Sequence, residues 1–365
     1  MRILGMMSGT SLDGIDAAIL ETDGLEIMDF GPAATFPYLP SEKEAIQKAI
    51  DKALEWGGKG KRPPEFDVAE KAITEAHARV VEKMRTRPDA GHIDLIGFHG
   101  QTILHRPEMK LTVQLGNGAA LAQKTATDVV GDFRRNDVAL GGQGAPLVPI
   151  YHQALLRRQQ QSLNDPVAVL NIGGVANLTY LDEGHELIAL DTGPGNGLLD
   201  QWMVLRGLGA YDKDGALAQK GQVNEKYLRQ LMHHPYFNAP IPKSLDRYDF
   251  NLSTIKELSD EDGAATLAAF SVAAIIKAIE FLPMAPKLWI ICGGGRKNRT
   301  IMSMLGARTG VECIDADDFS WRGDDVEAEA FAYLAARHIK NLPITFPGTT
   351  GVEKPATGGI LFKAE

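Results

Sequence analysis

Cysteine is nearly absent. Only Cys292 and Cys313 occur in 365 residues, outside any CxxC spacing, which excludes a disulfide framework and points to two small core residues in a reducing compartment. A basic block is missing too: Lys and Arg total 38 against 47 Asp and Glu, the net charge is −9, and the cations are scattered. That pattern carries no footprint for nucleic acid, so no nucleic-acid partner is expected. The opening residues reach the polar Ser8 and Thr10 too soon for a secretory signal. No apolar run approaches the roughly 20 residues that span a bilayer. The expectations are no membrane partner and a cytoplasmic location.

The chain exceeds the roughly 100–200 residues usual for one domain, so two domains are expected. Glycine is abundant, with 38 residues, and it clusters after short apolar runs, where it marks tight turns. Leu95–Phe98, Val167–Leu170, Leu187–Leu190 and Leu288–Ile291 read as buried strands. Helical spacing covers 41–55, 66–86, 145–160, 195–205, 263–281, 297–306 and 323–340. The stretch from Asp262 to Phe281 is apolar at nearly every position and should be buried on most sides. Residues 55–64, rich in Gly and Pro, read as a solvated loop despite Lys59, Lys61 and Arg62.

Alternating strands and helices give an α/β class. Residues 3–30 depart from a plain doubly wound layout, because they read strand, turn, strand, with Asp23-Gly24 as a second turn. The same opening recurs at Asn171–Tyr180 and Glu186–Asp191. Two similarly built halves are therefore expected.

The segment Gly5–Asp16 holds a small polar run placed between two apolar strands. Backbone N–H groups there can converge on phosphate, with the hydroxyls of Ser8, Thr10 and Ser11 as further donors. Asp13 or Asp16 could orient water around a Mg²⁺ that neutralises the phosphate. An ordinary hairpin turn has the same composition.

Met7-Ser8-Gly9-Thr10-Ser11-Leu12-Asp13-Gly14-Ile15-Asp16 resembles the first phosphate loop of the anhydro-N-acetylmuramic acid kinases. Further segments match that family in order: Gly97-Phe98-His99-Gly100-Gln101-Thr102, Gln114-Leu115-Gly116, Asp132–Ala139, Gly141–Pro149, Asn171–Thr179, Asp191–Asn196, Gly293-Gly294-Gly295-Arg296 with Asn298, Val326–Ala332 and Thr350-Gly351. The resemblance implies a two-lobed actin-like ATPase (ribonuclease H-like) fold, with mixed sheets, helices on both faces and an ATP and sugar cleft between lobes. It also implies an ATP-dependent kinase that opens the 1,6-anhydro bridge of 1,6-anhydro-N-acetylmuramic acid and phosphorylates O6. Mg²⁺ with the ATP, and a homodimer, follow from the same resemblance.

Such chemistry needs a base for water, a clamp for the sugar's lactyl carboxylate and an N–H-rich cradle for phosphate. Asp191 closes an apolar strand before a Gly-Pro-Gly turn that would leave its carboxylate accessible. Its position alone also suits a turn former, and the resemblance implies the base. Arg134 could pair bidentately with the lactyl carboxylate. Arg135 could do the same, or either could join Asp132 or Asp137 in an ion pair, and the family motif picks Arg134. Glu327, near a helix start, could accept from sugar hydroxyls, assist the base or favour the helix N-terminus, and the family motif picks it over Glu329. His99 could donate to a sugar oxygen or bond locally to backbone, and its surroundings lack the spacing of a zinc site.

The resemblance assigns substrate contact to Ser11, His99, Arg134 and Glu327. It assigns ATP to Gly9, Thr10, Ser11, Leu12, Asp13, Gly14, Ile15 and Asp16, to Gly173, Gly174 and Asn177 at a second phosphate turn, and to Gly293, Gly294 and Gly295 at an adenosine turn. Lobe I is expected over 1–130 plus about 350–365, and lobe II over 131–349. The Pro-rich stretch 211–249 receives no catalytic role.

No Gly-x-x-x-x-Gly-Lys-Ser/Thr occurs, and no Gly-x-Gly-x-x-Gly opens a helix after a strand, which disfavours P-loop and Rossmann folds. A kinase for another amino sugar, or a non-catalytic sugar-responsive ATPase of the same fold, are the alternatives.

Overall fold

The computed structural model describes every residue except Thr10, Leu163, Asn164, residues 246–248 and Glu365. Thr10, expected in the phosphate loop, thus lies outside the described residues. Two compact units form, Met1–Gln161 with Asp325–Glu365, and Ser162–Asp324.

The first unit begins with β1 (Arg2–Ser8), β2 (Gly14–Thr22), β3 (Ile27–Pro37), α1 (Pro40–Trp56), α2 (Glu65–Arg85) and β4 (Leu95–Arg106). It continues through β5 (Leu111–Leu115), α3 (Gly118–Thr125), β6 (Val129–Gly131), α4 (Arg135–Ala139) and α5 (Pro149–Arg158). The second unit holds β7 (Val167–Ile172), β8 (Val175–Leu181), β9 (Ile188–Pro194), α6 (Gly197–Leu205), α7 (Glu225–Met232), α8 (Asp260–Ala278), β10 (Leu288–Cys292), α9 (Arg299–Thr309) and β11 (Cys313–Asp315). The chain then returns to the first unit with α10 (Val326–Ile339), α11 (Pro347–Thr350) and β12 (Ile360–Phe362).

The first sheet runs β3-β2-β1-β4-β6-β12 with β5 beside β4, and the second runs β9-β8-β7-β10-β11. In each, the first three strands form an antiparallel meander and the next two lie parallel to the first. This doubled ribonuclease H-like order is the actin-like ATPase fold.

The unit boundaries differ from the expected lobes. Residues 131–161 and 325–349 belong with the first unit, because β6 pairs with β4 and β12, and α10 packs on β1, β2 and β4. Two glycines permit that seat. Gly5 and Gly97 are register partners on β1 and β4, and a methyl on either would overlap the α10 backbone, at Ala328 or at Phe331. The helix answers with Ala328 and Ala332, so backbone meets backbone.

In the second unit, α8 covers the sheet face that presents Ala168, Leu170, Ile172, Leu178 and Ile291. By length and composition the helical stretch Asp260–Phe281, α8 and the turn that follows it, is long and apolar enough to cross a membrane, which corrects the sequence expectation, yet 67% of its apolar 18-residue stretch is buried. Gly263 makes room for the Trp202 ring, whose Nε1 donates to the Asp260 carbonyl at 3.0 Å. Both cysteines are free thiols, Cys292 buried and Cys313 half-buried.

Buried histidines tie this fold to pH. His77 on α2 donates from Nδ1 to the Ile73 carbonyl at 2.8 Å, and burial lowers its pKa to about 4. Burial lowers His152 on α5 to about 3. A histidine depressed in the fold binds fewer protons than in the unfolded chain between the folded and unfolded pKa values, so stability falls as pH drops through that window. Urea unfolding at pH 7.5 and pH 5.0 should show a loss at the lower pH of about 2 kcal/mol from His77 alone. Stability that held steady or rose on acidification would contradict this.

Candidate active site

In the first unit, the β1–β2 turn is pinned from below. Leu12 adopts φ 57° and buries its side chain in the core, leaving Ser11 and Asp13 exposed at the tip. A branched side chain held in the left-handed region costs energy that its burial offsets. The Gly9 carbonyl accepts from Gln101 Nε2 at 3.0 Å, and the Ser8 hydroxyl donates to the Gly100 carbonyl at 2.9 Å, so β4 braces the turn. Asp13 Oδ1 accepts from Ser11 Oγ at 2.7 Å and from the Gly14 N–H at 3.0 Å. Ile15 lies in the core beside Leu12, so a ligand meets only the backbone of these two. Asp16 sits on β2 itself, where its Oδ1 accepts from Thr35 Oγ1 at 2.6 Å.

His99 and Arg134 come together. Arg134 Nε and Nη2 donate to His99 Nε2 at 3.1 and 3.0 Å, and Nη1 donates to the Gly144 carbonyl at 2.8 Å. Burial first, and then the Arg134 charge, hold His99 well below the usual histidine range. The neutral ring accepts at Nε2 and so carries its proton on Nδ1, a buried donor without a partner. Phe331 of α10 packs on the ring with centroids 4.6 Å apart.

Beside this pair lies a cavity of about 350 Å³ lined by His99, Gln114, Asp132 and Arg135 among others, which brings three motif segments to one place. Asp132 adopts φ 57°, pairs with Arg135, and has its pKa raised by burial. Sequence reasoning treated Asp132 only as an ion-pair partner. Its Gly131-Asp132 setting, directly after a strand, was the available signal.

Glu329 is buried and accepts from the Tyr151 hydroxyl at 2.6 Å, an internal bond of the first unit. Glu327, half-buried in the first turn of α10, is the more accessible carboxylate.

In the second unit, Asn171, Asn177 and Asp191 are register partners across β7, β8 and β9. The expected opening at Asp191 is corrected: β9 runs on to Pro194, and Asp191 is only 7% exposed. The stretch given no role supplies the reason. The Leu245 N–H donates to Asp191 Oδ2 at 2.8 Å, the Asp191 N–H donates to the Lys243 carbonyl at 3.1 Å, and the Tyr236 hydroxyl donates to the Asp191 carbonyl at 2.5 Å. Lys243 Nζ donates to the Tyr236 carbonyl at 2.9 Å and faces the Tyr236 and Phe281 rings. Burial, with Lys277 nearby, lowers the Lys243 pKa to about 8. The prolines of 235–242 were the signal of a fixed loop; nothing in them named Asp191 as its partner.

Gly173 and Gly174 form the turn between β7 and β8, where their carbonyls accept from the N–H groups of Asn196, Gly195 and Gly197. Gly293 adopts φ 75° after β10, and a methyl there would overlap the Asn171 side chain.

Compared with known proteins, residues 1–364 match the family model described as anhydro-N-acetylmuramic acid kinase. The chain belongs to the anhydro-N-acetylmuramic acid kinase family. Relatives bearing that name include one from Caulobacter vibrioides, 49% identical over 98% of each chain. Another, from Azorhizobium caulinodans, is 49% identical over 100% of this chain and 99% of its own, and one from Bradyrhizobium diazoefficiens is 46% identical over 99% of each. As an anhydro-N-acetylmuramic acid kinase family member, the chain is a phosphotransferase with an alcohol group as acceptor, and it uses ATP.

The glycine turn at 293–295 rests on a buried arginine. Arg296 contacts Asp315 at 3.0 Å, Asp317 at 2.7 Å and Asp324 at 2.6 Å, and donates to the Gly293 carbonyl at 3.1 Å. Arg296→Met leaves three carboxylates facing one another, and the expected loss is about 2–3 kcal/mol, reduced because the acids are partly exposed. Urea unfolding measures it; unchanged stability would show that the turn does not depend on Arg296.

Proposed function

We propose that the chain converts 1,6-anhydro-N-acetylmuramic acid, ATP and water into N-acetylmuramic acid 6-phosphate and ADP with Asp191 as the base. A water oxygen attacks C1 as the C1–O6 bond breaks, and Asp191 accepts the proton that the water gives up. The freed O6 takes the γ-phosphoryl group as its bond to the β–γ bridging oxygen of ATP breaks. The observation that carries this reading is the fixed, buried carboxylate of Asp191, oriented through Oδ2 by a backbone donor.

Arg134 clamps the lactyl carboxylate, while Ser11, His99 and Glu327 contact the sugar. His99 suits a donor role because its neutral ring is fixed by Arg134. The turns at Gly9–Gly14 and Gly173-Gly174 with Asn177 hold the phosphates, and Gly293-Gly294-Gly295 admits the adenosine.

Among the described residues no group of three or more His, Cys, Asp or Glu converges as a metal cage. Asp13, a single exposed carboxylate at the loop tip, fits Mg²⁺ that arrives on the ATP phosphates and keeps most of its waters. When bound, that ion offsets phosphate charge. The reading also places the enzyme in the cytoplasm as a homodimer, acting on small molecules and on neither nucleic acid nor membrane.

ATP consumption should depend on the anhydro sugar in a coupled assay with a panel of cell-wall amino sugars. Stimulation by a different sugar alone would redirect the substrate assignment. Asp191→Asn keeps an acceptor for the Leu245 N–H, so ATP binding should persist while turnover falls about 10²–10⁴-fold. Wild-type turnover in that variant would refute the base.

A further inference from the structure

The closing Thr350-Gly351 segment and the Gly141–Pro149 segment have no part in the chemistry above, yet they meet at one buried carboxylate. Asp137 is 1% exposed and Thr350 is fully buried. Thr350 Oγ1 donates to Asp137 Oδ1 at 2.7 Å across 213 positions of sequence, and the Gly144 N–H donates to Asp137 Oδ2 at 2.6 Å. The Gln143 N–H donates to the Thr350 carbonyl at 2.7 Å, and the Gly142 N–H to the Asp137 carbonyl at 2.9 Å. Both carboxylate oxygens and three consecutive loop N–H groups are thereby engaged.

The loop passes this order outward. A methyl at Gly142 would overlap the Asp137 carboxylate, and Gly144 holds φ 71°, so the chain can wrap the acid only with glycine at these places. Wrapping turns the Gly144 carbonyl onto Arg134 Nη1 at 2.8 Å, while Nε and Nη2 are held by His99. Two fixed acceptors on different edges set the plane of a guanidinium, and bidentate recognition of a carboxylate depends on that plane.

We propose that Asp137 and Thr350 are positioning residues that aim Arg134 at the substrate's carboxylate, acting through the carbonyl of Gly144. This rests on the reading of Arg134 as the lactyl clamp. The pair touches no reacting atom. Its effect is on affinity for the acidic sugar, not on the transfer step.

The test is a double-mutant cycle on the full-length enzyme, with KM for the anhydro sugar, KM for ATP and kcat measured separately. Thr350→Val removes the donor at nearly constant volume, and the expected result is a rise in sugar KM of about tenfold with kcat and ATP KM within about twofold. Thr350→Ser keeps the hydroxyl and should restore the wild-type KM; Thr350→Ala replaces the valine variant if that one does not fold.

In an Arg134→Gln background the Thr350 substitution should add nothing further, because the group it aims is gone. An equal rise in both backgrounds, a fall in kcat with KM unchanged, or a wild-type KM for Thr350→Val would each overturn the proposal. If Arg134→Gln itself left sugar KM unchanged, the clamp reading would fail and take the proposal with it. Failure of the relay alone shows instead as a raised KM in Arg134→Gln with additive behaviour at Thr350.

Discussion

The proposed mechanism depends on how one carboxylate is held. Asp191 lies on a strand with little exposure, and a loop some fifty residues later closes over it with bonds to its backbone N–H, its carbonyl and its Oδ2. A buried acid without such donors is costly, and a base that swings between rotamers loses the orientation a concerted displacement needs. The Tyr236–Leu245 clasp therefore stabilises the fold and fixes the orientation of the Asp191 carboxylate, which the proposed base role requires. The Lys243 ammonium, seated between two rings, anchors the clasp at its far end.

The first unit follows the same logic with different parts. Its more accessible groups are held by buried ones: Leu12 props the β1–β2 turn, Gln101 and Ser8 fasten it to β4, and His99 with the Gly144 carbonyl fixes Arg134. Glycine serves two separate purposes in this architecture. Gly142 and Gly144 let a loop wrap the Asp137 carboxylate, whereas Gly5 and Gly97 let α10 lie directly on the sheet and carry Glu327 at its start.

Much of this was legible in the residues. The recurrence of strand, turn, strand at residues 3–30 and after Val167 anticipated two sheets of the same order, and the ordered glycine motifs named the family before any geometry was known. What could not be read were pairings at long range. Asp191 and Leu245 meet only because β9 and a Pro-rich loop fold together, and neither stretch shows a periodicity that points to the other. The unit boundary was misplaced for a related reason: α10 looks like any apolar helix until the glycines of β1 and β4 are seen beneath it. By residue type and spacing alone Glu327 and Glu329 could not be separated, and only the family motif picked Glu327, since two carboxylates two positions apart differ in which side of the helix finds Tyr151.

The most direct measurement is a crystal structure of the enzyme with the anhydro sugar and a non-hydrolysable ATP analogue. An ordered water should lie within about 3 Å of an Asp191 carboxylate oxygen and on the face of C1 opposite O6. A carboxylate with no water in reach of C1, or a sugar bound with another acid at that face, would contradict the central claim.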